Sequence, residues 1–187
     1  MKHLISSLAI GATLFAPMTA LAQTVTVSTG DLIKGSGQAV YYLYDGQRLV
    51  FPTEKTYKTW YADYSSVKTL TDAQLMTYSL KANVTYRPGI RLVKITTDPK
   101  VYAIAKGGTL RWVQNEAVAK LLFGTTWATQ VDDIPDAFFV NYRVGDPIAS
   151  PGDFSPSAEQ AKAPTIWQDK DYANPNANPM QPQGYGY

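Results

Sequence analysis

No cysteine occurs anywhere in the 187 residues, and the single histidine, His3, lies within the first few. Without disulfides, a domain outside the reducing cytosol has to be held by its apolar core. Without a thiol, and without an imidazole past His3, the remainder of the chain cannot assemble a Ser-His-Asp or Cys-His nucleophilic centre. Zinc, copper and non-haem iron sites usually draw on those same side chains, so no catalytic residue, metal or cofactor is expected. Excess charge is also scarce, with 17 basic residues against 15 acidic ones. Nucleic acid or an anionic membrane surface normally calls for a basic stripe, and neither partner is expected. Phosphate-cradling loops are missing too, because Gly35-Ser36-Gly37 and Gly107-Gly108 lack both the Lys-Ser/Thr of a P-loop and the Rossmann spacing.

One long apolar run is present, at the N-terminus. Lys2 precedes an almost uninterrupted hydrophobic stretch from Leu4 to Phe15, and Ala20-Leu21-Ala22 follows as a small-x-small site. That order reads as an export signal over residues 1–22, with cleavage before Gln23 and a short linker over 23–29. Gly11 and Pro17 interrupt the run, which is short of the roughly 20 apolar residues a membrane span needs. The expected localisation is therefore exported: extracellular, cell-surface or periplasmic, with no integral membrane segment in the mature chain.

Comparing the chain with itself reveals two copies of one unit, over residues 30–89 and 90–148. Leu32-Ile33-Lys34 matches Leu92-Val93-Lys94, and Val40-Tyr41-Tyr42-Leu43 matches Val101-Tyr102-Ala103-Ile104. Leu49 and Phe51 are set against Leu110 and Trp112, and Glu54 against Glu116. Val67, Leu70, Asp72, Leu75 and Tyr78 then recur as Val131, Ile134, Asp136, Phe139 and Tyr142, with an offset that drifts only from 60 to 64. Each copy reads as a short strand, a β-hairpin and a short helix. Asp45-Gly46 and Gly107-Gly108 mark type I′ turns, where both central residues need positive φ. Glu54–Tyr61 and Glu116–Phe123 read as helices capped by Thr53 and Asn115, with Gly124 as a stop. Further short helices start at Thr71-Asp72 and Pro135-Asp136.

The expected fold class is α+β, rich in β, with the two repeats packed as one domain because a hairpin and one helix are too small to stand alone. A fragment of propeller-like or solenoid architecture is the structural alternative. Residues 149–187 change character, with six of the 12 prolines and Asn-Pro, Gln-Pro and Gly-Tyr elements. That composition predicts a flexible tail, ending in Gly184-Tyr185-Gly186-Tyr187.

The pattern Leu-(Ile/Val)-Lys, Val-Tyr-x-(Leu/Ile), a glycine turn, an aromatic closing the next strand, a helix and Val-x-x-(Leu/Ile)-x-Asp resembles a tandem repeat of exported bacterial proteins. The resemblance spans residues 30 to 148 and implies envelope or surface placement, since some of those units accompany cell-surface or wall-associated domains. It carries no catalytic residue across. Many such units read Trp-Ile-Pro after the turn, where this chain has Phe51-Pro52 in one copy and Trp112-Val113-Gln114 in the other.

Function is then sought among aromatics and acids. Tyr41 and Leu43, matched by Tyr102 and Ile104, are expected to face the core. Tyr42 and Tyr44 face alanines in the other copy, Ala103 and Ala105, and with Arg48 they form the candidate exposed ligand-binding patch. Packing of these tyrosines against the tail or the other copy is the plainer reading. Trp60, Tyr61 and Trp127 are assigned to core or inter-repeat packing. Asp132, Asp133 and Asp136 lack the EF-hand pattern and read as turn and helix-start residues. The leading expectation is a noncatalytic envelope or surface module that binds a protein or a glycan. The alternative is a carboxylate-dependent hydrolase of wall polymers, which would need two acids roughly 5 to 9.5 Å apart in a cleft.

Overall fold

The computed structural model describes residues 25–175. The signal segment and the last twelve residues, with the terminal Gly-Tyr-Gly-Tyr, lie outside that range. The protein is α+β: two five-stranded mixed sheets with the same strand order, each covered by short helices.

In the first unit, β1 (Leu32–Lys34), β2 (Val40–Tyr44) and β3 (Gln47–Val50) run antiparallel in succession. Helix α1 (Glu54–Trp60) then leads to β4 (Val67–Thr69), which pairs parallel with β1. Helix α2 (Asp72–Met76) leads to β5 (Ser79–Asn83), which pairs parallel with β3 at the other edge. The second unit repeats this with β6 (Leu92–Ile95), β7 (Asp98–Ala105), β8 (Thr109–Trp112), α3 (Glu116–Phe123), β9 (Val131–Ile134), α4 (Asp136–Phe139) and β10 (Arg143–Val144). The register repeats as well. Leu32 stands opposite Val67 and Leu92 opposite Val131, and the Val84 amide donates to Val50 as the Ile148 amide does to Trp112.

Local chemistry explains the element ends. Thr53 and Asn115 accept from the amides of Thr56 and Val118, so both long helices start where an extended residue with a short polar side chain precedes them. Gly124 ends α3 at φ 84°. Asp45 and Gly46 both have positive φ, as a two-residue type I′ turn requires. The second hairpin differs: its loop has three residues, Lys106 to Gly108, so Ala105 pairs with Thr109. That extra residue shifts the correspondence on the following strand by one. Arg48, Leu49, Val50 and Phe51 match Leu110, Arg111, Trp112 and Val113, not the set expected from sequence. On a strand, a one-residue slip exchanges the two faces.

Both faces of each sheet are covered. On one face Ile33, Leu43 and Leu70 pack with Tyr41, Leu75 and Tyr78, and their equivalents Val93, Ile104 and Ile134 pack with Tyr102, Phe139 and Tyr142. On the other face lie α1 in the first unit, α3 in the second, and a segment that sequence composition misreads. Residues 149–175 are not a flexible tail. They form a 3₁₀ turn at Pro151–Asp153, helix α5 (Pro156–Lys162) and helix α6 (Ile166–Asp169), each started by a serine or threonine cap. Phe154, Ala163 and Ile166 are buried. Proline here serves at the first helical position, where its missing N–H costs nothing. Pro151 and Pro156, two of the prolines that suggested disorder, therefore begin helices.

This C-terminal segment clasps both repeats. Phe154 joins Ala103, Ala105 and Val118 in the core of the second unit, while Ile166, Trp167 and Tyr172 pack on the first. At the junction the wholly buried Asp169 carboxylate accepts from the Gly107 amide at 2.8 Å and from the Thr85 hydroxyl at 3.2 Å. The Lys170 ammonium donates to the same Thr85 hydroxyl at 3.1 Å. Burial raises the Asp169 pKa, and the amide and the neighbouring ammonium oppose that shift.

The units also share an ion pair with its charges exchanged. Lys68 on β4 pairs with Asp31 at 2.7 Å, and at the equivalent positions Asp132 on β9 pairs with Arg91 at 2.6 Å. Asp132 is the more buried carboxylate and also meets Lys55 of α1 at 3.1 Å, so its charge ties the first unit to the second.

Candidate functional site

The expected patch of Tyr42, Tyr44 and Arg48 does not exist as a surface. Tyr42 and Tyr44 are only 3% and 6% exposed. The Tyr44 hydroxyl donates to the Ala173 carbonyl at 2.8 Å, and its ring lies 4.9 Å from that of Tyr172. Burial pushes the Tyr42 phenol up to about 12. Arg48 pairs across the hairpin with Leu43 and so lies on the opposite face, where it donates to the Leu75 carbonyl at 2.6 Å and sits 4.9 Å from the Tyr41 ring centre. The tyrosine–alanine divergence between copies records the shape of the clasp. Aromatic rings of the α6 region meet tyrosines on one sheet, and Phe154 meets alanines on the other.

Of the other residues singled out from sequence, Trp60 packs and Asp136 starts a helix as expected, whereas Asp132 and Asp133 lie on β9 and not in a turn. Trp60 donates from Nε1 to the Thr85 carbonyl at 2.8 Å, which ties α1 to the link between the units. Asp133 pairs with Lys94 at 3.2 Å, and Asp136 accepts from the Thr97 hydroxyl. With Asp132 held by Arg91, this acidic run is spent on structure.

A concavity that the sequence did not reveal is a groove of about 950 Å³ at the end of the first sheet. Its floor comes from the start of β2 (Ala39, Val40), the end of β3 (Val50, Phe51) and Tyr57 on α1. Lys34 and Thr69, partners in the β1–β4 register, form one wall with Val67. Glu54 and Tyr64 rim the mouth, and Asn83 of β5 and Phe138 of the second unit close the far side. Pro52, Thr53 and Phe138 are shared with a smaller crevice of about 230 Å³ between the units. The rings are engaged with one another. Tyr57 and Tyr64 stack at 4.4 Å, Phe51 meets Tyr57 edge-on, and the Lys58 ammonium lies 4.8 Å from the Tyr64 ring centre. Burial raises the Tyr64 pKa, and the nearby Glu54 carboxylate adds to that.

Internal symmetry shows that the groove is a property of the repeat. The second unit has a crevice of about 200 Å³ at the same place, between the β7 start, the β8 end and the first turn of α3. Val101, Val113, Asn115, Glu116 and Ala119 stand there for Val40, Phe51, Thr53, Glu54 and Tyr57. Trp112 stands for Val50 and Lys100 for Ala39, with the lysine ammonium 5.3 Å from the indole ring centre. A second repeated feature is exposed apolar side chains: Met76 and Leu80 in one unit, Val140 and Val144 at the same positions in the other, all more than half exposed.

A scan against models of known protein families, a search of curated proteins and a search of solved structures each find no match to this chain.

Proposed function

We propose that this is an exported, noncatalytic module of the cell envelope or surface, and that it binds a segment of a protein partner in the groove of the first repeat. The groove carries the reading. Its volume falls in the range of ligand sites, and its lining has the mix such sites use: an apolar floor with a few polar groups at the edge. Three polar wall side chains, Lys34, Gln38 and Thr69, make no hydrogen bond or ion pair among the described residues, so they are available to a ligand. Between protein and glycan, the rings favour protein, because Phe51, Tyr57 and Tyr64 are engaged with one another or with Lys58.

The hydrolase alternative draws less support. Among the described residues Glu54 is the one carboxylate that lines the groove, whereas glycoside hydrolysis in most families uses a pair. Envelope placement rests on the export-type N-terminus and on the resemblance to repeats of exported proteins. Among the described residues no helix is long and apolar enough to cross a membrane.

The test fills the groove from within. Ala39→Lys with Val50→Trp copies the residues of the second unit into the first. The double variant is expected to melt within a few degrees of the unaltered protein, since both positions lie at the rim of the sheet. Its co-sedimentation with envelope material should fall by about tenfold, the loss of roughly 1.4 kcal/mol of binding. A folded variant that co-sediments as well as the unaltered chain would remove the groove from the account.

A further inference from the structure

We infer that the partner's segment binds across both repeats: it lies extended in the groove of the first, and one large apolar side chain anchors it in the crevice between the repeats, against Phe138. This rests on the groove being the binding site and names what holds the segment there.

The groove and the crevice are continuous. Pro52, Thr53 and Phe138 line both, so a chain lying in the groove runs on into the crevice over these three residues. Phe138 belongs to α4 of the second unit, whereas the crevice at the end of the second sheet is lined from Pro99 to Trp127, by its own unit alone. What the first groove has in addition is a wall supplied by its neighbour. The residue of the first unit equivalent to Phe138 is Gln74. Its carboxamide turns back onto the start of α2, where it accepts from the Thr71 amide at 3.0 Å. Of the two units, only the second therefore sets an aromatic ring at this position, and that ring faces the junction.

The chemistry of the crevice decides what enters it. Each polar side chain on its wall already has a partner. The hydroxyls of Thr53 and Thr56 lie 3.0 Å apart, Lys55 pairs with Asp132 at 3.1 Å, and Asp133 pairs with Lys94 at 3.2 Å. The Tyr86 hydroxyl donates to Asp132 at 3.4 Å, and the Tyr142 hydroxyl accepts from the Tyr86 amide at 3.1 Å. What is left to a ligand is apolar: Pro52, Ile134, Pro135 and the Phe138 ring. A space of about 230 Å³ with that lining suits one bulky aliphatic or aromatic side chain, the kind of buried anchor on which protein interfaces concentrate their binding energy. Lys34, Gln38 and Thr69, which have no partner among the described residues, line the groove and not the crevice. Polar contacts thus belong to the groove and the anchor to the junction.

A random peptide library displayed on phage, selected on the full chain and counter-selected on the Ala39→Lys/Val50→Trp variant, supplies the probe: a synthetic peptide of the commonest groove-dependent sequence. Replacing its largest apolar residue by alanine should weaken binding to the unaltered chain about tenfold or more. The same replacement should cost about threefold or less on Phe138→Ala, because there the anchor has already lost its wall. Hydrogen exchange on the unaltered chain reads the contact without a variant, should Phe138→Ala melt early: the peptide is expected to slow exchange in residues 53–57 and 134–142 together. A groove-dependent peptide with no large apolar residue, equal losses on the two proteins, or protection confined to the first repeat would overturn the inference and leave the groove standing. No groove-dependent peptide at all would overturn both.

Discussion

Replacing Tyr42 and Tyr44 together by alanine is expected to leave the protein unfolded. Each ring is almost wholly buried, and truncating a large buried aromatic to alanine costs about 3–5 kcal/mol through lost burial and an unfilled cavity. Two such losses approach the whole stability of a typical domain, about 5–15 kcal/mol. Tyr44 also holds the clasp through its hydroxyl on Ala173 and its contact with Tyr172, so its removal loosens α6 as well. Thermal melts followed by far-ultraviolet circular dichroism check this. A cooperative transition within a few degrees of the unaltered protein would mean that the two tyrosines lie on a surface after all. The alanines of the second unit give no licence for the change, because Ala103 and Ala105 sit under Phe154 in a differently shaped core.

Ending the chain at residue 148 is expected to have a comparable effect. It removes Phe154, Ala163 and Ile166 from the core and uncovers one face of each sheet. It also strips Asp169 from the Gly107 amide and the Thr85 hydroxyl, which are then without a partner inside what remains. Leaving buried polar groups unsatisfied costs about 1–3 kcal/mol each beyond the lost apolar burial. The shortened protein should bind hydrophobic dyes and show no sharp melt, whereas a chain ending at residue 175 should melt like the full one. Full stability of the shorter form would mean that the two repeats are self-sufficient.

How much of this was legible follows from what kind of signal each feature leaves. The repeat was readable because the same core positions recur, and the caps Thr53 and Asn115 were readable because helix starts depend on one side chain. The outer strands β4, β5, β9 and β10 were not. They have two to five residues and pair parallel with strands far away in sequence, so no local turn announces them. The register on β8 was missed by one residue because Gly107-Gly108 reads like a two-residue turn, while Lys106 joins the loop. Arg48 was set with Tyr42 and Tyr44 although its own two-residue turn pairs it with Leu43, and the buried tyrosines looked like a patch because their counterparts are alanines. The clasp was hidden by composition, since proline-rich sequence signals disorder unless each proline opens a helix. The groove leaves no motif at all, and its relation to the smaller crevice of the second unit becomes visible only once the register is known.

The central claim is that the groove of the first repeat is where this protein meets its partner, and photo-crosslinking tests it most directly. The full chain would carry a photoreactive side chain either at position 39, which lines the groove, or at position 121, where Leu121 on α3 is 72% exposed and away from the groove. Each is irradiated with envelope material of the cells that produce the protein. The account predicts a discrete adduct from position 39 that disappears with excess unlabelled protein and persists with excess Ala39→Lys/Val50→Trp variant. Equal adducts from position 121, or competition by the groove-filled variant as strong as by the unaltered protein, would contradict it.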